Sequence, residues 1–112
     1  MTENKPLEQP TVSSSCTLHL NLHKQWFDMI LGGIKKEEYR EMKSFYHLKF
    51  LASIKNYDTI TFSNGYAKNR RQFVIELRGI QSGLGIEKWG APLGKVVYIL
   101  KLGNIISRNN YC

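Results

Sequence analysis

The sequence predicts a small α+β domain in which about five to six strands of mixed direction form a barrel-like sheet beside two short helices. Three observations lead to this prediction. Two early stretches have apolar residues at helical spacing, several short stretches alternate or are rich in β-branched residues, and glycine-rich connections separate them. Because no helical stretch separates the last three predicted strands, a barrel-like sheet fits better than repeated βαβ units.

The first predicted elements are a strand and a helix. Residues 17–22 read Thr-Leu-His-Leu-Asn-Leu, an alternation typical of a half-buried strand with its three leucines pointing inward. Apolar residues then recur at helical spacing through residues 23–32. The pair Gly32-Gly33 follows, and a glycine in the left-handed conformation is a common end for a helix. A short amphipathic helix is therefore predicted before the glycines.

The remaining predicted elements are a polar strand, a second helix and three further strands. The polar strand covers residues 36–41, and the second helical pattern runs from Phe45 to Leu51. The later strands are rich in β-branched and aromatic residues, and a glycine-rich loop that contains Trp89 separates the last two. These three strands cover residues 57–62, 73–80 and 95–106.

Composition and charge indicate a single basic domain. The chain has 112 residues, of which 42% are hydrophobic and 22% charged, and its formal net charge is +7. Residues 1–15 contain two prolines and three consecutive serines, so we expect a flexible leader, with the domain in residues 16–112. The domain holds 15 basic and 7 acidic side chains, which favours a polyanionic partner such as nucleic acid.

The sequence indicates neither export nor membrane insertion. The first fifteen residues lack an apolar signal region, and no apolar run approaches the roughly 20 residues that span a bilayer. Cys16 and Cys112 have no disulfide-like spacing, so a reducing, cytoplasmic setting is the default expectation. The sequence does not give the oligomeric state, and a monomer is the default. His19 and His23 lack metal-ligand spacing, and no phosphate-loop pattern is present. We therefore predict no metal and no cofactor.

The densest charge lies between Gly33 and Arg40, where three cations and two carboxylates fall within eight residues. Such a stretch either lies in solvent or forms a partly buried cluster in which opposite charges compensate each other's desolvation. A regular strand would place Lys36, Glu38 and Arg40 on one face, whereas Lys35 at the loop junction has no fixed direction. The alternative is a solvated edge strand whose alternating charges prevent aggregation.

Gly33, Lys35, Glu38 and Arg40 occupy all four fixed positions of the motif Gly-x-Lys-x-x-Glu-x-Arg, and the chain resembles the ASCH family over about residues 16–106. The resemblance implies a PUA-like β-barrel with a charged cleft that receives RNA, a nucleotide or a modified base. It also implies that Lys35 lies in this cleft. Members of the family include RNA-binding modules, ribonucleases and amidohydrolases that remove the acetyl group of N4-acetylcytidine.

Lys35, Glu38 and Glu76 are the candidate catalytic residues if the chain hydrolyses an amide. A lysine in a dry site can act as a base, while a carboxylate positions water or protonates the leaving amine. Glu76 has apolar neighbours in its strand, and a surface ion pair with Arg78 or Arg71 is the alternative to a catalytic role. The family's amidohydrolases carry threonine where this chain has Glu38, so a different substrate, or none, is favoured.

A second candidate element is the basic loop formed by residues 66–71. Lysines and arginines can bind phosphates there while the tyrosine stacks on a base, although an ordinary exposed hairpin loop is the alternative. Trp89 is either a stacking platform or a cap on the core. The predicted ligand-binding residues are Lys36, Arg40, Tyr66, Lys68, Arg70, Arg71 and Trp89.

The expected function is binding of RNA or a modified nucleoside in the charged cleft. One alternative is a small hydrolase, either an amidohydrolase on N4-acylated cytidine or a ribonuclease. Another is an adaptor that contacts a protein partner through Trp89 and the glycine-rich loop. An apolar patch around Trp89 beside a neutral cleft would favour the adaptor.

Overall fold

A computed structural model describes residues 17–50 and 57–109 of the chain. In chain order, these residues form β1 (Thr17–Asn21), α1 (Lys24–Leu31), β2 (Glu37–Arg40), α2 (Ser44–Phe50), β3 (Thr59–Asn64), β4 (Arg71–Leu84) and β5 (Val96–Asn109). A short 3₁₀ turn, Glu87–Trp89, lies in the connection between β4 and β5. The predicted leader, Leu51 and both cysteines lie outside the described residues. Neither helix in the described part is long and apolar enough to cross a membrane.

The five strands form one mixed sheet in the order β1-β3-β4-β5-β2. β1 pairs with β3 in parallel, and the other neighbouring pairs are antiparallel. The parallel pair requires a long crossover, which α1, β2 and α2 supply. These features confirm an α+β fold with a five-stranded mixed sheet and two helices.

The predicted closure into a barrel is not confirmed. Within the described residues, the outer strands β1 and β2 each pair with a single neighbour, so the sheet remains open. A side-chain contact nevertheless joins the two edges, because Nη2 of Arg40 in β2 donates to the carbonyl of Asn21 at the end of β1, over 2.8 Å. The edges therefore come close without forming a backbone ladder.

β4 and β5 are longer than the sequence predicts, with fourteen residues each. Their pairing shifts register three times between Val74 and Gly79, and such irregularities bend and twist a strand. The pairing continues through Gly83 to Leu84. The sequence predicts these two residues to lie in the glycine-rich loop. This long ribbon pairs with β3 along the first part of β4 and with β2 along the first half of β5.

The core lies between the sheet and the two helices. The three leucines predicted to point inward from the first strand are all buried. Phe27 of α1 packs edge to face on Phe73 of β4, with ring centroids 4.8 Å apart. Burying one such large apolar side chain contributes on the order of 1.5–3 kcal/mol, so these rings hold α1 firmly against the sheet. Other buried members are Ile30, Phe50, Ile60, Phe62, Ile75, Leu77, Leu100 and Leu102.

Candidate functional site

The turn after α1 determines where Lys35 lies. Gly32 retains a right-handed φ of −80°, and the left-handed residue is Gly33 with φ of +81°. The chain then folds back, so that the amide of Lys35 donates to the carbonyl of Met29 over 3.0 Å. The Lys35 side chain is consequently buried, while Lys36 is exposed. The structure thus places Lys35, and not Lys36, beside the carboxylate of the motif.

Lys35, Glu38 and Arg40 form one charge cluster. Nζ of Lys35 lies 3.3 Å from Oε1 of Glu38. The other oxygen, Oε2, accepts from Nε of Arg40 over 3.0 Å and lies 2.9 Å from Nη2 of the same guanidinium. Taking such charges out of water is expensive unless each has partners, and here one carboxylate lies between two cations. The motif spacing therefore produces a compact cluster that combines opposite charges.

Aromatic rings and a backbone carbonyl enclose the ammonium group of Lys35. Its Nζ lies 5.0 Å from the ring centroid of Trp26 and 4.7 Å from that of Tyr39, and it donates to the carbonyl of Trp89. Ring faces attract cations at these distances. Burial lowers the pKa of Lys35, and the nearby Glu38 carboxylate opposes this shift. Two aromatic rings, a backbone carbonyl and a carboxylate therefore surround the ammonium group of Lys35.

The glycine-rich loop covers the groups that surround the ammonium of Lys35, and two of its glycines allow it to approach the aromatic rings closely. A Cβ atom at Gly85 would lie 2.6 Å from the ring of Tyr39, and one at Gly90 would lie 3.0 Å from the ring of Trp26. Gly90 also has a φ of +104°, which side chains disfavour. The amide of Ile86 donates to the hydroxyl of Tyr39 over 3.0 Å. The loop therefore packs on the two rings that flank the lysine.

A second polar network fixes Tyr39. Its hydroxyl donates to Oε1 of Glu37 over 2.7 Å, while Oε2 of Glu37 lies 2.5 Å from Nζ of Lys101. Burial raises the pKa of Tyr39 to about 12. Burial also pushes the pKa of Glu37 upward, but the hydrogen bonds from Lys101 and Tyr39 outweigh it and leave that pKa lowered. These side-chain contacts link β2 to β5 in addition to the backbone hydrogen bonds between the two strands.

A cavity of about 840 Å³ opens beside the charge cluster. Cavities of roughly 300–1,000 Å³ are typical of small-molecule sites. Glu38 and Arg40 line it together with Trp26, whereas Lys35 is not among the lining residues. Nη1 of Arg40 donates to the hydroxyl of Tyr46 over 3.1 Å, so α2 as well as β1 holds the guanidinium in place. The cluster thus presents its glutamate and arginine to the cavity.

The predicted loop residues separate into two groups. Tyr66 and Arg70 line the cavity, whereas Lys68 is exposed and lies outside the lining, as does Lys36. Arg71 does not line it either, because its Nη1 lies 2.9 Å from Oδ1 of Asp28. Its guanidinium also lies 4.7 Å from the ring centroid of a core phenylalanine. Trp89 contributes its backbone carbonyl to Lys35, and its ring is not part of the cavity wall.

Glu76 does not join Glu38. Its Oε1 accepts from the backbone amide of Asn104 over 2.8 Å and from Arg78 over 3.1 Å, at a partly exposed position. The hydrogen bond from Asn104 and then that from Arg78 lower the pKa of Glu76. The surface ion pair considered as an alternative for this residue is what the structure contains, and Glu76 is outside the cavity lining. The expected pair of carboxylates in one cleft is not formed.

The sequence does not identify several of the residues that contribute to the site. Neither Trp26 nor Tyr39 is among the residues that the sequence predicts for the site. Asn21 contributes only a backbone carbonyl, which has no signal in the sequence. Phe45 and Tyr46 line the cavity from α2, where their spacing predicts only an apolar helical pattern. An aromatic residue on each side of the glycine–lysine segment was the available clue.

In residues 17–50 and 57–109, no three His, Cys, Asp or Glu side chains come together in a way that could hold a metal ion. Comparisons with protein-family models, curated proteins and solved structures found no match. The resemblance to the ASCH family therefore remains an expectation from the sequence.

Proposed function

We propose that this chain is an ASCH-like domain of PUA-like architecture that binds one base of an RNA, or a nucleotide-sized ligand, in the cavity beside Glu38 and Arg40. The observation that carries this proposal is the contact of a buried charge cluster with a cavity of nucleotide size. The contact between Arg40 and Asn21 brings the two edges of the open sheet together, which supports this proposal although the sheet is not closed.

The hydrogen-bonding capacity of the cluster suits the edge of a base. A carboxylate can accept about four hydrogen bonds, and within the described residues Glu38 accepts one from Nε of Arg40, while Nζ of Lys35 and Nη2 of Arg40 lie 3.3 and 2.9 Å from its oxygens. The guanidinium has five N–H groups, of which the hydrogen bonds to Glu38, Asn21 and Tyr46 use three. Acceptor capacity on Glu38 and donor capacity on Arg40 therefore remain to meet an amino group and a neighbouring acceptor, as found in cytosine or adenine.

The position of Lys35 favours binding over hydrolysis. A general base must come within hydrogen-bond reach of the proton that it removes. The Lys35 side chain is 1% exposed, and Trp26, Tyr39 and the loop carrying Trp89 surround its ammonium group. Its role in our proposal is to hold Glu38 in place beneath the ligand. Hydrolysis remains the second candidate, because burial lowers the pKa of this lysine.

The adaptor alternative has its own supporting observation. Leu84 and Val96, which are paired in the β4–β5 ladder, are 66% and 55% exposed, and Leu93 in the loop is 78% exposed. This apolar surface lies at the ends of the loop that carries Trp89. The cavity is charged rather than neutral, however, so we place ligand binding first.

Affinity measurements on the full chain test the proposal. Cytidine, N4-acetylcytidine and a short single-stranded RNA are titrated at low salt, with tryptophan fluorescence as the readout and acetate release followed in parallel. We expect Arg40→Gln to weaken binding at least about tenfold, as loss of a charged hydrogen bond would. Arg78→Gln is the matched control, since it removes the same charge outside the cavity.

Circular dichroism spectra are compared with that of the wild type to check that both variants are folded. Equal affinities of the two variants, or no binding of any of the three ligands, would contradict the proposal. Release of acetate from N4-acetylcytidine would instead identify the second candidate function.

A further inference from the structure

Helix α2 carries an exposed aromatic residue and a cation on the wall of the cavity. Phe45 is 61% exposed, Lys49 lies four residues later, and both line the cavity. Residues at this spacing are neighbours on a helix surface, and Nζ of Lys49 lies 5.1 Å from the ring centroid of Phe45. An aromatic ring beside a cation is the combination that binds a base and its phosphate.

Phe45 is the outer end of a series of touching rings that starts in the core. Its ring meets that of Tyr46 with centroids 5.0 Å apart, and Tyr46 stacks on Phe50 at 5.4 Å. Phe50 in turn meets Tyr98 edge to face at 5.1 Å, and both of these residues are buried. The neighbouring rings therefore hold the exposed ring of Phe45 in place. Stacking of a base on this ring then costs little conformational entropy.

A second part of the cavity wall, in the loop before β4, carries the same pair of residue types. Tyr66 is 86% exposed, Arg70 lies four residues later, and both line the cavity. The acidic Glu41 at the cavity is paired with Lys43 at 2.8 Å. In the described part of the chain, neither Lys49 nor Arg70 forms an ion pair, so the two walls present cations that are available for phosphates.

We propose that Phe45 and Lys49 form a further nucleic-acid contact, in which Phe45 stacks on the base next to the one in the cavity and Lys49 neutralises a phosphate beside it. The preferred ligand is then a single-stranded oligonucleotide that crosses the cavity from the Tyr66 wall to the α2 wall, rather than a free nucleoside. This inference rests on the proposed function, because it extends that site along the strand.

The test compares a mononucleotide with a strand. Cytidine 5′-monophosphate and short oligocytidylates of RNA and DNA are titrated against the full chain and four variants, one of them Arg40→Gln. We expect Phe45→Leu, which keeps an apolar side chain, to lose about tenfold in affinity for whichever oligonucleotide the wild type binds more tightly. Its loss of affinity for the mononucleotide should be smaller, because a mononucleotide has no second base to stack on Phe45.

Lys49→Gln should weaken oligonucleotide binding about threefold and reduce the slope of log affinity against log salt by roughly 0.7, the value for one phosphate of a single strand. Lys88→Gln is the control, because Lys88 is exposed and outside the cavity lining, and its slope should equal that of the wild type.

The two proposals fail in different ways. If Arg40→Gln weakens binding of both ligands while Phe45→Leu and Lys49→Gln bind the oligonucleotide like the wild type, the α2 contact is wrong and the cavity proposal stands. If the wild type binds neither the mononucleotide nor an oligonucleotide, both proposals are wrong.

Discussion

The Nζ atom of Lys35 lies 3.3 Å from Oε1 of Glu38, and both side chains are more than nine-tenths buried. A lysine and a glutamate seldom leave water to this extent unless other groups satisfy them. Here Arg40 binds the second carboxylate oxygen, and aromatic rings with a loop carbonyl enclose the ammonium. Through Glu38 and Arg40, the motif thus forms a fixed polar part of the cavity wall in β2.

Removing the charge of Glu38 should destabilise the fold strongly. In Glu38→Gln, two cations lose the carboxylate between them, and breaking a buried ion pair from one side typically costs about 3–5 kcal/mol. Urea denaturation measures the free energy of unfolding. Glu76→Gln is the matched control, because its carboxylate pairs at a partly exposed position and its loss should leave the unfolding midpoint nearly unchanged. Similar destabilisation of both variants would contradict the importance of the buried cluster.

Gly85 should not tolerate a methyl group. In Gly85→Ala the new Cβ would lie 2.6 Å from the ring of Tyr39 and 2.7 Å from Cβ of Ala91. Relieving this overlap is expected to cost about 1–3 kcal/mol, the usual range for overpacking. Gly79→Ala serves as the comparison, because nothing lies within 4 Å of a Cβ there. Thermal unfolding that shows equal stabilities for the two variants would mean that the loop does not pack on Tyr39 as described.

Much of the fold could be predicted from the sequence because local patterns dominate it. Period-two alternation predicted β1, and the glycine pair predicted the end of α1. The extent of β4 was underestimated because Gly83 looked like a loop residue, although its strand partner Val97 supports it. The closed barrel was an inference about long-range pairing. Strand patterns encode neither whether β1 pairs with β2 nor the register shifts between Val74 and Gly79.

The site was predictable where the motif fixes it and not elsewhere. The choice of Lys35 over Lys36 depends on the turn at Gly33, because regular strand alternation does not extend into that turn. Glu76 looked costly to bury among apolar neighbours, but its side chain reaches a partly exposed position beside Arg78. The contribution of Asn21 comes from a backbone carbonyl, which any residue could supply.

Arg70 and Arg71 are adjacent in sequence but should differ in their effect on ligand binding. Arg70 lines the cavity, whereas Arg71 is paired with Asp28 outside it. Arg70→Gln is therefore expected to weaken oligonucleotide binding about threefold and to lower the salt slope by roughly 0.7, as one lost phosphate contact would. Arg71→Gln should bind like the wild type. Titrations at several salt concentrations distinguish the two, and a larger loss for Arg71→Gln would contradict the placement of the loop.

Tyr39 should make folding stability depend on alkaline pH. Its pKa is about 12 in the folded protein, against 10.0 ordinarily. Above pH 10 the unfolded chain releases the phenolic proton while the folded protein keeps it, so the free energy of unfolding falls as the pH rises to 12. Tyr39→Phe lacks this contribution, and Lys35, which also titrates, is present in both proteins. The stability difference between wild type and variant should therefore shrink from pH 10 to 12; a constant difference would contradict the raised pKa.

An NMR titration of the full chain tests the proposed cavity most directly. Single-stranded RNA, cytidine and N4-acetylcytidine are added at low salt while the backbone amides, the Trp26 indole N–H and the Arg40 Nε–H are followed. We predict shifts at residues 37–40 and at both side-chain signals, with the amide of Glu76 unmoved. Shifts confined to residues 84–96, or none with any ligand, would contradict nucleotide binding in this cavity.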